Sequence, residues 1–396
     1  MNSKDFIKVN LGETGLKAVG IGLLGYGFMG QVHSNAFKKF SYICWPPPAV
    51  PKLIAICGRT EEKVKEAAIR YGFEGYYTDW KKLIEDPKIE IFDNASPDST
   101  HCEPSIAAAE MGKHVICEKP LAMNLDEAKR MYLAVKKAGV KNMCGFNYRF
   151  LPAVRLAKDI IDKGIIGKVY EYKARYSQHY GANPEEIVEN VWYAPTGPGV
   201  LFGLGSHIID MGRFLIGEIS SVIGHQKTFN KTRIDKSGNK IKINTDESFA
   251  AILEFKNGAT GVLEGSYITE GRKNQHTWEI NGSKGSIVFD LEHLNYLKVC
   301  LREGKLKEIN GFTEISVTDS FDPYSYILWP PGHIMGWEDG HVSELLYFVD
   351  AVINNKKIRP YGATFYDGYM VQLIMDAIKK SSVSGKKIKI DILDFS

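Results

Sequence analysis

Three short stretches of the chain hold residues whose chemistry could combine. In "GYGFMG", Gly25 to Gly30, three glycines stand at the spacing a diphosphate cradle needs. Gly25 permits a tight turn, Gly27 lets backbone amides approach a pyrophosphate, and Gly30 lets the following helix pack closely on the strand before it. The helix N-terminus, with Phe28 and Met29 in its first turn, supplies the positive end. "CEKP" sets Glu118 and Lys119 ahead of Pro120, which keeps Lys119 out of the helical region and holds it extended or in a cis turn. Such a lysine could be a plain surface residue; in a crevice its ammonium can bond a substrate hydroxyl whose proton must leave as hydride departs. "GVLFGLGSHIID" places His207 between a glycine cluster and an apolar helix, where an imidazole can act as base or proton relay.

The elements that must position these residues are legible as alternation. From Lys17 the chain reads "AVGIGLLG", a helix to about Phe40, "PKLIAICG", the helix "TEEKVKEAAIRYG", "IEIFDNAS", the helix "EPSIAAAEMG" and "HVICEKP", then a helix from Leu125 and "NMCGFNY". Short apolar strands separated by amphipathic helices predict βαβ units on a doubly wound parallel sheet, a Rossmann domain over residues 1–147. After a helix from Pro152 to Lys163 the pattern turns β-rich, with Asn257-Gly258 and Asn281-Gly282 as turn signals, and it returns to helix at "HVSELLYFVDAVIN" and "FYDGYMVQLIMDAIKKSS". Residues 148–396 therefore read as an α+β domain with an antiparallel sheet partly covered by helices. The fold class is α/β.

Composition narrows the function. The 396 residues carry 50 basic and 47 acidic side chains, a formal net charge of +3, which gives no general pull toward nucleic acid. The basic run Lys231 to Lys242 is broken by Asp235 and reads as a solvated hairpin. No apolar run reaches the ~18 residues of a membrane span, and the first residues have no apolar signal core, so a cytoplasmic protein without membrane partners is expected. Cysteines 44, 57, 102, 117, 144 and 300 show no CxxC spacing and read as reduced core residues. No metal is expected, because histidines and acids fall into no ligand spacing.

The second strand should end in an acid for the ribose hydroxyl of NAD, yet it ends "CGRT". Gly58 stands in that place and Thr60 opens the next helix. Arg59 could pair with a 2′-phosphate or merely cover adenine, which leaves NAD and NADP both open.

At this point the chain resembles the glucose-fructose oxidoreductase / inositol dehydrogenase / MocA (Gfo/Idh/MocA) family. "GLLGYGFMG", "NASPDSTHCEPSIAAAEMGKHVICEKPLA", "GFNYRFLPAV", "GLGSHIIDMGRFLIG" and "GHIMGWEDGHVSELLYFVDAV" carry the resemblance, which spans nearly the whole chain. It implies a second domain built on a large open sheet that serves in homo-oligomer contacts, and NAD(P)-dependent oxidation of a ring carbon of a sugar or cyclitol. The insertion "CWPPPAVPKLIAICGRT" and the ending are most similar to the sugar- and glycoside-oxidising members, whose substrates include anhydrosugars and glycosides oxidised at the 3-position. Ser96, Pro97, His101 and Glu118 are the further cofactor contacts it implies.

The family commonly has Asp-x-Gly-x-His where this chain has Gly203 to His207, so the histidine carries over and the acid does not. Either Gly203 opens space for a bulkier substrate, with His179, Tyr180 or Asp210 taking over the acid's contact, or the site has drifted. Asn147, Tyr148 and Arg149 are expected at the substrate; a buried Tyr-Arg pair tying the domains is the alternative. Trp192 is a candidate sugar-stacking face, and His333, Trp337 and His341 could line the mouth or be core and cap residues. A regulator that binds nucleotide and sugar without turnover, or an enzyme that oxidises transiently to allow elimination, are the competing functions.

Overall fold

The computed structural model describes residues 11–185, 187, 199–303, 310–318 and 329–391. The first domain alternates, with a short β3 and α3 added to the expected elements: β1 (Ala18–Leu24), α1 (Phe28–Ile43), β2 (Val50–Cys57), α2 (Glu61–Tyr71), β3 (Gly75–Tyr77), α3 (Trp80–Glu85), β4 (Ile91–Asn94), α4 (Cys102–Glu110), β5 (His114–Cys117), α5 (Leu125–Ala138) and β6 (Asn142–Cys144). The strands form one parallel sheet in the order β3-β2-β1-β4-β5-β6, so the chain reverses its direction of winding between β1 and β4. Six of the seven residues of β1 are buried, as a strand covered on both faces must be. Local signals set the helix ends: Asn124 accepts the Glu127 amide at the start of α5, and α2 and α5 stop at Gly72 and Gly139, both left-handed.

The second half continues with α6 (Pro152–Asp162), β7 (Val169–Ser177), α7 (Ser206–Leu215), β8 (Ile219–Lys227), the small hairpin β9 (Thr232–Ile234) and β10 (Lys240–Lys242), β11 (Ser248–Phe255), β12 (Thr260–Ser266), β13 (Gln275–Gly282), β14 (Gly285–Asp290), β15 (Tyr296–Leu301), β16 (Thr313–Ser316), α8 (Asp339–Ile353), α9 (Phe365–Ser384) and β17 (Ile388–Lys389). Nine strands make one mixed sheet, β16-β15-β14-β13-β7-β12-β11-β8-β17, antiparallel except where β12 pairs β7. The basic run forms the hairpin β9–β10, and Asn257-Gly258 turns β11 into β12. Along β11, Phe249, Ala251, Leu253 and Phe255 point into the core while the alternate residues face out. α7 and α9 cover the inner face; α9 begins with a capping box in which Thr364 and Asp367 bond each other's backbone amides.

The packing crosses the expected chain boundary at residue 147. α8 lies against α1, and Val342, Leu345, Leu346 and Val349 share a core with Val19, Ile21, Phe37 and Phe40. Lys39 pairs with Asp339 across the same contact. On the other flank, Arg149 holds Asp210 through Nε–Oδ2 and Nη2–Oδ1 contacts of 2.8 and 2.5 Å. Arg213 lies 3.2 Å from Asp367 and 2.7 Å from Glu218, and Arg149 is 3.8 Å from Asp367. Both arginines and both aspartates are buried. Replacing Arg149 by Leu would leave Asp210 short of its cation in a dry interior, and urea denaturation should show a loss of about 3–5 kcal/mol.

Candidate active site

The glycine loop meets the tests a nucleotide cradle sets. Gly25 has φ +105° and approaches Ala95 so closely that a Cβ would lie 2.5 Å from its carbonyl oxygen. A Cβ on Gly30 would lie 2.2 Å from the oxygen of Gly25. A Cβ on Gly27 would meet nothing within 4 Å, so the space in front of the loop is open at that glycine. The loop thus has a close-packed back and an open front, at the N-terminus of a sixteen-residue helix. At the end of β2, a Cβ on Gly58 would fall 2.1 Å from the Tyr26 ring, which explains why no acid stands there. Arg59 and Thr60 are exposed beside it. Ser96 and Pro97 follow β4, with the Ser96 hydroxyl donating to Asn94 and accepting from Thr100. Phe28 projects outward and stacks on Trp337 at 5.6 Å, and Met29 is half-buried behind it.

Beneath the loop, α1 turns His33 toward the carboxyl ends of β4 and β5. Its Nδ1 lies 2.9 Å from Asp93 and its Nε2 3.2 Å from Glu118. Burial opposes charge on this imidazole, but the two carboxylates outweigh it and raise its pKa well above 6.5. The second oxygen of Glu118 accepts the Lys119 amide at 3.1 Å. Room for this carboxylate depends on Gly145, where a Cβ would come within 2.6 Å of Glu118 Oε1.

Lys119 precedes a cis peptide to Pro120 and extends toward the second domain, with Nζ 3.4 Å from the carbonyl oxygen of Gly203. Leu201–Gly205 is a π-helical turn that passes into α7 at Ser206. Asp246 anchors its start by accepting the Leu201 amide at 2.9 Å, and Gly199, at φ +76°, admits that carboxylate. His207 follows the turn, 7% exposed, with its ring 4.7 Å from Tyr148 and within 6.5 Å of Tyr176 and His276. Burial first, then the Lys119 ammonium, push its pKa well below 6.5, so the ring is neutral. Tyr148 and Tyr176 share a hydroxyl contact of 2.9 Å, which Trp337 Nε1 joins at 3.3 Å and Asn274 ends at 2.8 Å. The result is a glycine cradle, a lysine and a neutral imidazole along one junction.

Comparison with known proteins decides the family. Residues 19–146 match the model of the oxidoreductase family with an NAD-binding Rossmann fold, and residues 154–288 match the GFO/IDH/MocA C-terminal domain. The chain belongs to the Gfo/Idh/MocA oxidoreductase family. It is 37% identical over 382 residues to levoglucosan dehydrogenase of Pseudarthrobacter phenanthrenivorans, covering 93% of this chain and 97% of the relative. It is 28% identical to myo-inositol 2-dehydrogenase of Thermotoga maritima, over 94% and 98% of the two chains. Among solved structures, levoglucosan dehydrogenase in complex with NADH and L-sorbose superposes with a TM-score of 0.91 at 36% identity, over 96% of this chain and all of that one. The chain is therefore an oxidoreductase. Among the described residues no helix is long and apolar enough to cross a membrane.

Several residues that the Gfo/Idh/MocA resemblance placed at ligands have other work here. Asp210 and Arg149 hold each other in a buried network within the second domain, so Arg149 is neither free to meet a substrate nor part of the Tyr-Arg domain tie considered as its alternative, and Asp210 does not replace the missing acid. Asn147 is buried against Gly340 of α8, with its Nδ2 unpartnered among the described residues. His101 is wholly buried and its ring nitrogens lie 2.9 Å from the carbonyls of Ser96 and Pro120, so it fixes the lysine turn instead of touching a cofactor. Glu118, engaged by His33 and the Lys119 amide, likewise positions the lysine. His179 and Tyr180 sit beyond β7, with the His179 ring nitrogens at Arg272 O and Lys273 Nζ. His333 is exposed and bonds Pro330, while His341 is buried. Trp192 lies outside the described residues.

Sequence reasoning missed His33, Asp93, Tyr176 and His276. His33, three residues after Gly30, was the one with a local signal, a histidine on the inward face of the cofactor helix.

The buried histidines make stability depend on pH. His276 has its pKa depressed to about 3 by burial, so below 6.5 the unfolded chain binds protons that the folded chain refuses. The contribution of His276 is complete above pH 6.5 and is lost as the pH drops toward 3. By pH 5 this histidine should account for about 2 kcal/mol of that loss, and urea midpoints at pH 7 and 5 should converge in a His276→Leu variant.

Proposed function

We propose that the protein is an NAD-linked dehydrogenase acting on the ring of a sugar, cyclitol or glycoside, converting a secondary hydroxyl, at the 3-position of a pyranose, to a ketone. The observation that carries this reading is the meeting of Lys119 with the His207 segment across the domain junction, in front of an open glycine loop. His207 accepts the hydroxyl proton, because a buried neutral imidazole has a free lone pair and faces no competing ion pair. Lys119 bonds the same oxygen and stabilises the negative charge that develops as the proton leaves. NAD, when held by Gly25 to Gly30 and the Ser96-Pro97 loop, supplies the hydride acceptor at its nicotinamide. Tyr148 and Trp337 wall the site and exclude water from it.

NAD is favoured over NADP by the NADH complex of the solved relative, while the exposed Arg59 beside Gly58 is the feature that could admit a 2′-phosphate. Gly203 lacks the family's acid and presents its carbonyl to Lys119, which supports a substrate larger than a free hexose. Homo-oligomerisation through the open sheet is part of the same reading. Its outer face carries Ile223, Ile252 and Val262 opposite one another on three adjacent strands, 43–54% exposed. A contiguous apolar row on a sheet face of this size suits burial against a second copy.

Nicotinamide absorbance followed with NAD and with NADP over inositols, aldoses, anhydrosugars and aryl glycosides tests the activity. Reduction of NAD by at least one member is expected, with kcat/KM falling about 10²–10⁴-fold in Lys119→Ala. Nucleotide binding with no reduction on the whole panel would overturn it in favour of a cofactor recycled within each turnover or a sensor. Light scattering should give a multimer for the wild type and a lower mass for Ile252→Lys; a wild-type monomer would remove the sheet interface.

A further inference from the structure

The junction of α1, β5 and α8 contains more buried coordination chemistry than the hydride-transfer site uses. His33 and Glu118 are joined there by His341 and Glu344, which stand one helical turn apart on α8. All four are buried, Glu344 completely and His341 to within 2%. Both ring nitrogens of His341 and both oxygens of Glu344 lack a hydrogen-bond partner among the described residues. Each such orphan in a dry interior costs about 1–3 kcal/mol, so the cluster calls for an occupant.

The arrangement specifies that occupant. One nitrogen from each of His33 and His341 and one oxygen of Glu118 lie within 4.8 Å of one another. His33 Nε2 and Glu118 Oε1 are 3.2 Å apart, close to the ~3.3 Å that separates ligand atoms around a tetrahedral ion with bonds near 2.0 Å. Asp93 stands behind His33, 2.9 Å from its Nδ1, while Glu344 lies 3.6 Å from His341 Nδ1, beyond hydrogen-bond reach. A carboxylate behind a ligating imidazole, as Asp93 stands behind His33, is what fixes the tautomer and raises the donor strength of metal-bound histidines.

We propose that His33, His341 and Glu118 bind one divalent transition-metal ion of the zinc class. Two imidazoles and one carboxylate suit such an ion and not calcium or magnesium, which prefer all-oxygen sets. Binding takes the Nε2 proton from His33 and releases it to solvent, while Nδ1 keeps its proton toward Asp93; Glu118 binds as the carboxylate. The ion cross-links α1 and α8 to the end of β5 and so fixes the backbone that carries Lys119. This inference does not depend on which substrate the enzyme takes.

Elemental analysis of the full chain as isolated, followed by calorimetric titration of the chelator-treated protein with ZnCl2 and CoCl2, tests it. About one ion per chain is expected, with proton release seen as a buffer-dependent heat. Bound Co2+ should lack a thiolate charge-transfer band, because no cysteine is a ligand. Asp93→Asn should weaken binding tenfold to a hundredfold and His341→Ala should abolish it, each checked for folding by circular dichroism. Wild-type protein that carries no metal and takes up neither ion overturns the proposal, leaving the cluster closed by protons and water. Binding that survives His341→Ala in a folded variant, or that shows a thiolate band, overturns it equally.

Discussion

One contact anchors the catalytic half of this protein: an imidazole, His33, buried between two carboxylates. Burying Asp93 and Glu118 without it would strand two negative charges in the interior, which no packing can offset. With it in place, α1 is tied to the carboxyl ends of two strands of the parallel sheet, β4 and β5, just under the turn that admits a nucleotide. Glu118 then has one oxygen for His33 and one for the Lys119 amide, so the lysine's backbone is fixed from below. His101 fixes the same turn from the side through its bond to the Pro120 carbonyl. A flexible side chain can place a charge accurately only when its root is held, and here two buried histidines hold it.

The second domain solves the matching problem with a different network. His207 needs a rigid root as well, and α7 obtains one because Arg149 and Arg213 pin it, through Asp210 and Asp367, to the chain entering α6 and to α9. Asp246 fixes the π-helical turn that precedes it. Because α8 packs on α1 while α9 packs on α7, the chain's C-terminal part returns to both halves and sets their separation. The 3.4 Å approach of Lys119 to Gly203 is thus the end point of two scaffolds braced by a shared C-terminal part, in which α9 packs on α5 as well as on α7. A π turn at this place gives the segment a phase that an ordinary helix would not, and it brings a backbone carbonyl to the lysine where the family has a carboxylate.

How much of this was legible in the sequence follows the range of the interactions. The alternation that gives β1, β2, β4, β5 and β6, the Gly25 to Gly30 cradle and the Lys119 turn are local patterns and were legible, whereas the short β3 and α3 were not read from the sequence. The tail helix "HVSELLYFVDAVIN" was legible as a helix but not as a partner of α1, since an apolar face does not say which surface it will cover. His33 meets Asp93 and Glu118 across 60 and 85 residues, and a motif search that looks for fixed short spacings has nothing to find there. The same limit explains Asp210 and Arg149. Both were read as substrate-binding candidates, and only the fold shows that they pair with each other. Gly58 is the converse case: its identity was noted as a missing acid, whereas the close approach of the Tyr26 ring is the reason for it.

The two reactive groups also constrain each other. The ammonium of Lys119 lowers the proton affinity of His207, which by itself would make the imidazole a weaker base. The same ammonium, bonded to a substrate hydroxyl, lowers the proton affinity of that oxygen, and at shorter range. In an interior walled by Tyr148, Tyr176 and Trp337 the effective dielectric is low, so the effect on the nearer oxygen exceeds the effect on the more distant ring. In the proposed reaction, proton transfer from hydroxyl to imidazole is thereby brought closer to balance than either group's isolated chemistry would allow. A carboxylate at position 203 would neutralise part of the lysine's field; a carbonyl there orients the ammonium and leaves its charge acting on the substrate. On this argument the glycine in place of the family's acid shifts the site toward reliance on Lys119.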